Sequence, residues 1–317
     1  MRALVITNPR ATGVSDRQRD VVMRALASEA DLLEDTAGPI EGLDLAETSN
    51  RGHAAALACR AMRAGVDLVV ALGGDGTANE VVNGVLTDGV HPGVPSLGLI
   101  PAGSTNVFAK ALGLPTDPIE ATGNLLDALR VGRSRTVSLG RADSRWFVFA
   151  AGIGFDAAIV RDVERARAKG RPSTHTLYAR TGLRTFFRED RRHPALSVRF
   201  DDGSQVDGLH FAIATNADPW TFVGDRPIRP TPEASFDTGI DLYARRSMHL
   251  PGAVRGFAQM LRAQPRPRGR GVLLRHDLPG LVLTAARPLP FQVDGDWLGE
   301  REQVEIRSVP KALTIVG

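Results

Sequence analysis

The stretch "DLVVALGGDGTANEVVNGV" (residues 67–85) runs from a wholly apolar segment through a cluster of glycines into a helical pattern. Apolar composition without alternation, as in "DLVVAL" (67–72), is typical of a parallel strand that is covered on both faces. We predict a loop at 73–77 and a helix at 78–87, where the helical pattern resumes. A strand, a glycine-rich turn and a helix in this order form the repeating unit of doubly wound sheets.

The same alternation continues on both sides of this stretch. We predict further strands at 2–7, near 31–35 and at 96–102, and helices at 15–29, 50–64, 105–112 and 118–130. After about residue 133 short alternating segments dominate, as in antiparallel sheets, and helices are predicted only at 155–169, 175–188 and 251–262. The sequence therefore predicts an N-terminal doubly wound, Rossmann-like α/β domain (1–133) and a C-terminal antiparallel β-sandwich domain (134–303), with a cleft between them. We also predict that the C-terminal segment, about 304–317, returns to the first domain.

Composition limits the class of protein. Hydrophobic residues make up 43% and charged residues 24% of the chain, as in ordinary globular proteins. The single cysteine, Cys59, cannot form a disulfide within the chain, which fits the reducing cytoplasm. The opening "MRALVITNPR" lacks the features of a signal peptide, and no apolar run reaches the roughly 18–20 residues of a membrane span. We therefore expect a cytoplasmic protein without a membrane-spanning helix.

Positive charge is concentrated in two segments, although the net charge of the chain is only +3. Residues 160–200 carry 11 Lys and Arg against 4 Asp and Glu, and residues 245–276 carry 8 Arg and no acid. Such segments suit an anionic membrane surface, and simple solvation of exposed faces is the alternative. Nucleic acid is not an expected partner, because the clusters lack interleaved aromatic residues and any known nucleic-acid motif.

The loop 73–77 has the composition of a phosphate-binding loop. Gly73, Gly74 and Gly76 have no Cβ, so their backbone can approach a bulky anion closely. The N-terminus of the helix that follows directs its N–H groups and its positive dipole end at the same place. Thr77 adds a hydroxyl donor, and Asp75 adds a carboxylate for a Mg²⁺-bound phosphate chain.

Three further motifs carry candidate site residues. "TNPRATG" (7–13) follows the first strand, and "LIPAGSTNVFAKALGLP" (99–115) follows another strand with a glycine and two hydroxyls before a helix. "FQVDGDWLGE" (291–300) contains a D-G pair, which is typical of a hairpin turn. A sharp turn of this kind also places an acid at the mouth of a cleft.

The glycine loop resembles the nucleotide loop that diacylglycerol kinases, sphingosine kinases, NAD kinases and 6-phosphofructokinases share. The segment 99–115 is similar to the P-x-G-T-x-N-D-[FL]-A-R-x-L-G segment of diacylglycerol and sphingosine kinases, with Ser104, Val107 and Lys110 in place of Thr, Asp and Arg. NAD kinases have a different loop at this point. Nearly the whole chain resembles the diacylglycerol kinase catalytic-domain family, because the motifs occur together and in order.

This resemblance implies that the chain binds ATP and Mg²⁺. "TSNRGHAAALA" (48–58) looks like the segment of the family that closes over the nucleotide base. The ATP-binding residues that the resemblance implies are Asn8, Pro9, Arg10, Ala11, Thr12, Thr48, Gly73, Gly74, Asp75, Gly76, Thr77, Asn79, Gly103, Ser104 and Asp294.

The resemblance also implies catalytic residues. In bacterial diacylglycerol kinases the motif D-G-E supplies a Glu as the proposed base for the attacking hydroxyl, and Asp296 stands at that position here. Asp294 is expected either to orient the turn or to contact the nucleotide. Asp75 is the second expected catalytic acid.

Lipid and metal contacts complete what the resemblance implies. Asp156 in "AAGIGFDAAIV" is expected to meet the headgroup of the lipid, and Tyr178 lies in a helix that resembles the one beside the lipid site of the family. Ser235 and Asp237 belong to "ASFDTGIDLY", which is similar to a loop that binds a structural Mg²⁺ in some bacterial members. An acid usually precedes the glycine of that loop, and Thr238 replaces it here.

The activity expected from the resemblance is transfer of the γ-phosphoryl group of ATP to a lipid hydroxyl, with diacylglycerol as the lipid and phosphatidic acid as the product. Sphingosine, ceramide or another lipid alcohol, and NAD, are alternative substrates. Another alternative is a nucleotide- or lipid-binding module with weakened catalysis, because Asp296, Val107 and Thr238 depart from the family motifs. We expect the protein at the inner face of the membrane as a peripheral protein, with a homodimer left open.

Overall fold

The computed structural model describes residues 1–9, 11, 15–33, 42–169 and 175–317 of the chain. These residues form two compact units, one of residues 1–137 with 311–317 and the other of residues 138–310. Parallel strands with helices make up the first unit, and antiparallel strands dominate the second. The predicted fold class, an α/β domain followed by a β-rich domain, is confirmed.

The first unit is a parallel sheet with the strand order β2-β1-β3-β4-β16. Strand β5 (Ser134–Ala142) begins in this unit, and the long strand β16 (Asp296–Val316) ends in it. The other elements are β1 (Arg2–Thr7), α1 (Asp16–Leu33), β2 (Gly42–Glu47), α2 (His53–Arg63), β3 (Leu68–Gly73), α3 (Asp75–Val85), β4 (Ser96–Pro101), α4 (Val107–Ala111) and α5 (Pro118–Val131).

The apolar strands form the core of the first unit as predicted. All six residues of β3 are buried, because β3 lies between β1 and β4 in the sheet. Val5, Val70 and Ile100 pack in one cluster with Val22 of α1 and Leu125 of α5. Burial of an aliphatic side chain stabilises the fold by about 1.5–3 kcal/mol. The core therefore fixes the strands whose ends carry the candidate site.

The strand predicted near 31–35 is wrong. Residues 31–33 are the last turn of α1, and the strand that pairs with β1 is Gly42–Glu47. Residues 34 and 35 lie outside the described residues. The sequence pattern of β2 is weak because β2 is the edge strand of the sheet, and all six of its residues are exposed or half-buried.

The second unit contains an antiparallel sheet with the strand order β14-β13-β10-β7-β15-β16. Strand β15 changes partner along its length: residues 281–285 pair with β8, and residues 291–293 pair with β7. The elements are β6 (Arg145–Phe147), β7 (Ala150–Gly154), α6 (Phe155–Ala168), α7 (His175–Arg188), β8 (Leu196–Phe200), β9 (Gln205–Leu209), β10 (Phe211–Thr215), β11 (Thr221–Val223), β12 (Arg226–Ile228), β13 (Ile240–Arg245), α8 (Leu250–Met260), β14 (Val272–Leu278) and β15 (Gly280–Val293).

None of the helices in the described part of the chain is both long enough and apolar enough to pass through a bilayer.

Candidate functional site

The carboxyl ends of four parallel strands bring the predicted nucleotide residues of the first unit together. Register aligns Thr7 of β1 with Leu72 of β3 and with Glu47 of β2, and it aligns Gly73 with Pro101 of β4. Main-chain hydrogen bonds continue past the strand ends, from Asn8 N to Leu72 O (3.2 Å), Thr48 N to Thr7 O (2.8 Å) and Ala102 N to Gly73 O (2.8 Å). Asn8, Thr48, the glycine loop and Gly103 therefore lie at one edge of the sheet, where open α/β sheets bind ligands.

Helix α3 begins at Asp75, three residues before the predicted start at residue 78. Gly74 is the N-cap with an extended backbone, and its carbonyl accepts the N–H of Ala78 at 3.1 Å. Glycines have low helix propensity, which is why the sequence pattern places the start too late. Asp75, Gly76 and Thr77 thus form the first helical turn, whose N–H groups point along the axis without acceptors inside the helix.

Two glycines allow the loops after β3 and β4 to touch through their backbones. A Cβ built on Gly103 lies 2.7 Å from Cα of Gly74, and one built on Gly74 lies 3.1 Å from Cα of Gly103. A Cβ–carbon distance under 3.0 Å requires the backbone to move. Only glycine fits at Gly103 without such a shift. The main chains of the two loops therefore form one continuous surface, with Ser104 exposed beside it.

Asp75 ties these two loops together. Its Oδ2 accepts the N–H of Val107 at 2.9 Å, and its Oδ1 accepts the N–H of Phe108 at 3.0 Å. Burial raises the pKa of Asp75 above its ordinary value, and the two main-chain hydrogen bonds partly offset this effect. The carboxylate thus caps the first turn of α4 from a distance of 32 residues in sequence. Its predicted catalytic role stays a prediction.

Asn106 was missed by sequence reasoning. It adopts the left-handed conformation (φ 52), its Oδ1 accepts the N–H of Gly103 at 2.9 Å, and its Nδ2 donates to Gly103 O at 3.0 Å. Asn tolerates this conformation better than most residues. The available signal was the Asn that closes the "GSTN" segment. Asn106 holds the loop that approaches Gly74.

The other predicted ATP-binding residues of the first unit differ in burial and in hydrogen bonding. Thr77 is buried, and its hydroxyl lies over Gly73, where a Cβ would come within 2.5 Å of Oγ1. Asn79 is also buried, and its Oδ1 accepts from Nδ2 of Asn83 at 3.1 Å. The carbonyl of Pro9 accepts from Arg19 at 3.1 Å, and Ala11 N donates to Asn8 O at 3.0 Å. Arg10 and Thr12 lie outside the described residues.

In the second unit, Asp294 holds the hairpin turn that joins β15 to β16. Asp294 (φ 47) and Gly295 (φ 81) adopt the positive φ values of a type I′ turn. The buried Asp294 carboxylate accepts three main-chain N–H groups, from Val148 (2.7 Å), Phe149 (3.0 Å) and Ala150 (2.9 Å). Of its two predicted roles, the hydrogen bonds support the orienting one. The nucleotide contact stays a prediction.

Asp296, the predicted base, is half-buried and pairs with Val293 across this turn. Gln292 supports the turn from the preceding strand, because its Oε1 accepts the N–H of Gly295 at 2.9 Å. The Nε2 of Gln292 donates to Oδ2 of Asp156 at 3.0 Å. Gln292 was also missed by sequence reasoning. It connects the turn that carries Asp296 to the residue that was predicted to meet the lipid headgroup.

Asp156 is a buried carboxyl in the first turn of α6. Its Oδ1 has no hydrogen-bond partner within the described part of the chain. Burial raises the pKa of Asp156 to about 7, and the hydrogen bond from Gln292 partly offsets this effect. Its contact with a lipid headgroup stays a prediction. The side chain of Tyr178, the other predicted lipid residue, lies outside the described part of the molecule.

We predict that Asp156 makes stability depend on pH. A carboxyl with an ordinary pKa of 3.8 that rises to about 7 on folding destabilises the protein progressively as the pH rises through that interval. Asp156→Asn removes this effect. Its free energy of unfolding relative to wild type should therefore increase by up to about 4 kcal/mol between pH about 4 and pH about 8. Urea denaturation across this range measures the difference.

Wild type is measured in parallel at every pH, so that only the difference between the two proteins is used. If that difference is the same at pH about 4 and at pH about 8, the raised pKa of Asp156 is refuted.

The predicted structural metal loop forms a tight turn. Ser235 Oγ accepts the N–H of Asp237 at 3.2 Å, and the hydroxyl of Thr238 donates to Ser235 O at 3.1 Å. Among the residues the structure describes, no group of three or more His, Cys, Asp or Glu is arranged to hold a metal ion. The metal contacts of Ser235 and Asp237 stay a prediction.

Part of the chain is similar in sequence to known diacylglycerol kinases. Residues 2–142 match the family model of the diacylglycerol kinase catalytic domain. Over 106 residues the chain is 42% identical to a diacylglycerol kinase of Staphylococcus saprophyticus and 41% identical to one of Staphylococcus carnosus. These matches cover 33% of this chain and 32% of each relative, so the similarity spans about a third of the length of these relatives.

The similarity in fold extends over nearly the whole chain. A solved structure of a diacylglycerol kinase from Bacillus anthracis str. Sterne aligns with 99% of this chain and 96% of its own chain, with a TM-score of 0.73 and 18% identity. At this low identity the likeness shows the shared fold alone.

Proposed function

We propose that this chain is an ATP-dependent lipid kinase that converts diacylglycerol to phosphatidic acid, because residues 2–142 match the family model of the diacylglycerol kinase catalytic domain. The observation that carries the proposal is the backbone contact between Gly74 and Gly103 beside the N-terminus of α3. Side chains at these two positions would push the two loops apart and so disrupt the main-chain surface that a phosphate chain would approach. The geometry suits a polyanion.

The first unit would bind the triphosphate through main-chain groups. N–H groups of the first turn of α3, at Asp75, Gly76 and Thr77, supply donors for phosphate oxygens, and the helix dipole favours negative charge there. Ser104 offers an exposed hydroxyl on the second loop. These groups are held in place before ATP arrives, because Asp75 and Asn106 fix the two loops. Positioning and charge neutralisation are the main requirements of phosphoryl transfer.

Mg²⁺ accompanies ATP in this proposal. In kinases, Mg²⁺ binds mainly to phosphates and water with one or two carboxylates, so a dedicated cage of acids is not required. Asp75 fits that role, because each carboxylate oxygen retains a second lone pair beside its main-chain hydrogen bond. When bound, the ion supplies neutralisation of negative charge on the phosphates.

The second unit would supply the base. The hydroxyl oxygen of the lipid bonds to the γ-phosphorus of ATP while Asp296 accepts the hydroxyl proton. The bond from the γ-phosphorus to the oxygen that bridges it to the β-phosphate breaks, and ADP leaves. Asp294 and Gln292 keep the turn that carries Asp296 in one conformation. Asp156, and Tyr178 on α7, are proposed contacts of the lipid. Because diacylglycerol resides in bilayers, the kinase would work as a peripheral protein at the inner face of the cell membrane.

An assay with labelled ATP and lipid in mixed micelles tests the function. Diacylglycerol, sphingosine and ceramide are supplied in separate micelles, and NAD in solution. We expect label in phosphatidic acid and little in the other products. Label in sphingosine or ceramide phosphate alone would change the assigned lipid, label in NADP would refute a lipid kinase, and ATP binding without any product would indicate a binding module.

A further inference from the structure

Helix α8 shows an unusual distribution of side chains. Its buried face consists of Gly256, Gln259 and Met260, whereas Leu250, Val254 and Phe257 are 43%, 60% and 46% exposed. The exposed three are spaced i, i+4 and i+7, so they form one apolar stripe along the helix. A surface helix normally turns such a stripe toward the core. In α8 the stripe faces solvent.

Contacts within the second unit explain this orientation. Nη1 of the buried Arg245 donates to the carbonyl of Gly252 at 2.9 Å. A Cβ on Gly256 would lie 2.5 Å from Nη1 of the same arginine. The helix is therefore held against β13 by its glycine side, because only that side lets Arg245 reach the backbone. Rotation of the apolar stripe inward would break these contacts.

Arginines surround the exposed stripe. Arg255 flanks it on the helix, and Arg262 follows the helix directly. In the next loop Pro265 and Pro267 are buried while the arginines between and after them are exposed, namely Arg266, Arg268 and Arg270. Gln259 Oε1 accepts the N–H of Arg268 at 3.2 Å and holds this loop to the end of α8. The whole segment 245–276 has no acidic residue.

In the other basic segment, residues 160–200, several arginines contact acidic or aromatic side chains. Arg161 and Arg188 form ion pairs with Asp162 and Glu189. Arg191 lies over the ring of Phe186, 4.8 Å from its centroid. Within the described residues, none of the ion pairs uses an arginine of the loop after α8 or of its exposed face. The positive charge around α8 is therefore available to a partner.

We propose that the stripe Leu250–Val254–Phe257 and the adjacent arginines form a docking surface for an anionic lipid bilayer. Apolar side chains of an interfacial helix enter the boundary between headgroups and acyl chains, and flanking arginines bind the anionic headgroups. A second copy of the chain is a poorer occupant, because a two-fold interface would place the same arginines of both copies against each other. The surface deepens the proposed function, since it would bring a lipid kinase to its substrate.

Vesicle co-sedimentation without ATP or diacylglycerol tests this inference independently of catalysis. Vesicles of phosphatidylcholine alone are compared with equimolar phosphatidylcholine and phosphatidylglycerol. We expect wild type to bind the anionic vesicles, and Val254→Ser with Phe257→Ser to lower its partition coefficient by about tenfold. Arg255→Glu with Arg262→Glu should lower it by a similar factor, and that loss should shrink at high salt. Val131→Ser and Arg60→Glu, exposed positions of the first unit, are matched controls without effect.

Two further readouts separate the possible results. Circular dichroism and thermal unfolding confirm that each variant is folded, and light scattering gives the oligomeric state. If the double serine variant binds vesicles like wild type, the inference is overturned, and loss of a dimer in that variant would then assign the face to a second copy. Phosphorylation of a short-chain, water-soluble diacylglycerol by the docking variants at the wild-type rate supports the inference. Absence of that activity in the wild type would refute the proposed function and leave the vesicle result standing.

Discussion

For the proposed transfer of phosphoryl to diacylglycerol, Asp296→Asn should lower the turnover number by about 10²–10⁴-fold, the usual contribution of a general base. The amide keeps the size of the side chain but cannot accept the hydroxyl proton. The turn itself should survive, because Asp294 anchors it with three main-chain hydrogen bonds and Gln292 binds Gly295. Affinity for Mg-ATP should change little. Steady-state kinetics and a separate ATP titration measure the two effects.

Asp296→Glu and Asp202→Asn complete this experiment. Asp296→Glu restores the residue of the D-G-E motif and should retain more activity than Asp296→Asn. Asp202 lies in an exposed turn between β8 and β9, where it accepts the N–H of Ser204 at 2.8 Å, so its replacement controls for loss of a turn carboxylate. Near-normal turnover of Asp296→Asn would remove Asp296 from the mechanism.

Asp75→Ala should weaken Mg-ATP binding by at least about tenfold, which corresponds to about 1.4 kcal/mol. The substitution removes the acceptor of the N–H groups of Val107 and Phe108. Without that link the loop at Gly103 loses one of the contacts that hold it against Gly74. Loss of a helix cap also lowers the free energy of unfolding by about 0.5–2 kcal/mol. Isothermal titration and urea denaturation measure both quantities.

Asp117→Ala is a matched control for capping. Asp117 caps α5 in the same unit, and its Oδ1 accepts the N–H groups of Ile119 (2.9 Å) and Glu120 (3.1 Å). We expect a similar loss of stability and unchanged ATP affinity. If Asp75→Ala and Asp117→Ala bind ATP equally well, the link through Asp75 is irrelevant to nucleotide binding.

Local sequence patterns predicted the buried strands β1, β3 and β4 of the first unit well. The strand 67–72 was predictable because burial on both faces leaves a continuous apolar run, and β3 is Leu68–Gly73. The edge strand β2 was missed because exposure of its residues erases that pattern. The start of α3 was predicted at residue 78, three residues too late, because the low helix propensity of glycine made the first turn look like a loop. In the structure Gly74 is the N-cap of that turn.

Local sequence patterns could not predict the contacts in the candidate site between residues that are far apart in sequence. Asp75 was selected as a carboxylate for Mg²⁺, yet its hydrogen bonds to residues 107 and 108 depend on how two strands pair. Gln292 and Asp156 are 136 residues apart in sequence and meet through a hydrogen bond. The inward glycine face of α8 is likewise set by Arg245, a residue of another element. Periodicity reports which residues share a face, and it does not report what that face contacts.

Titration of Gly76→Ala with Mg-ATP is the most direct test of the claim that the first turn of α3 binds a phosphate chain. Among the described residues, no atom outside the backbone of α3 and the chain neighbours lies within 4 Å of a Cβ at Gly76, so an added methyl group should leave the fold intact. In the proposed site this methyl group would stand beside the N–H groups that bind the phosphate chain. Gly123→Ala, at an open position within α5, is the matched control. We predict that Gly76→Ala weakens binding by about tenfold or more while Gly123→Ala binds like wild type. Equal affinity of the two variants and wild type would contradict the claim.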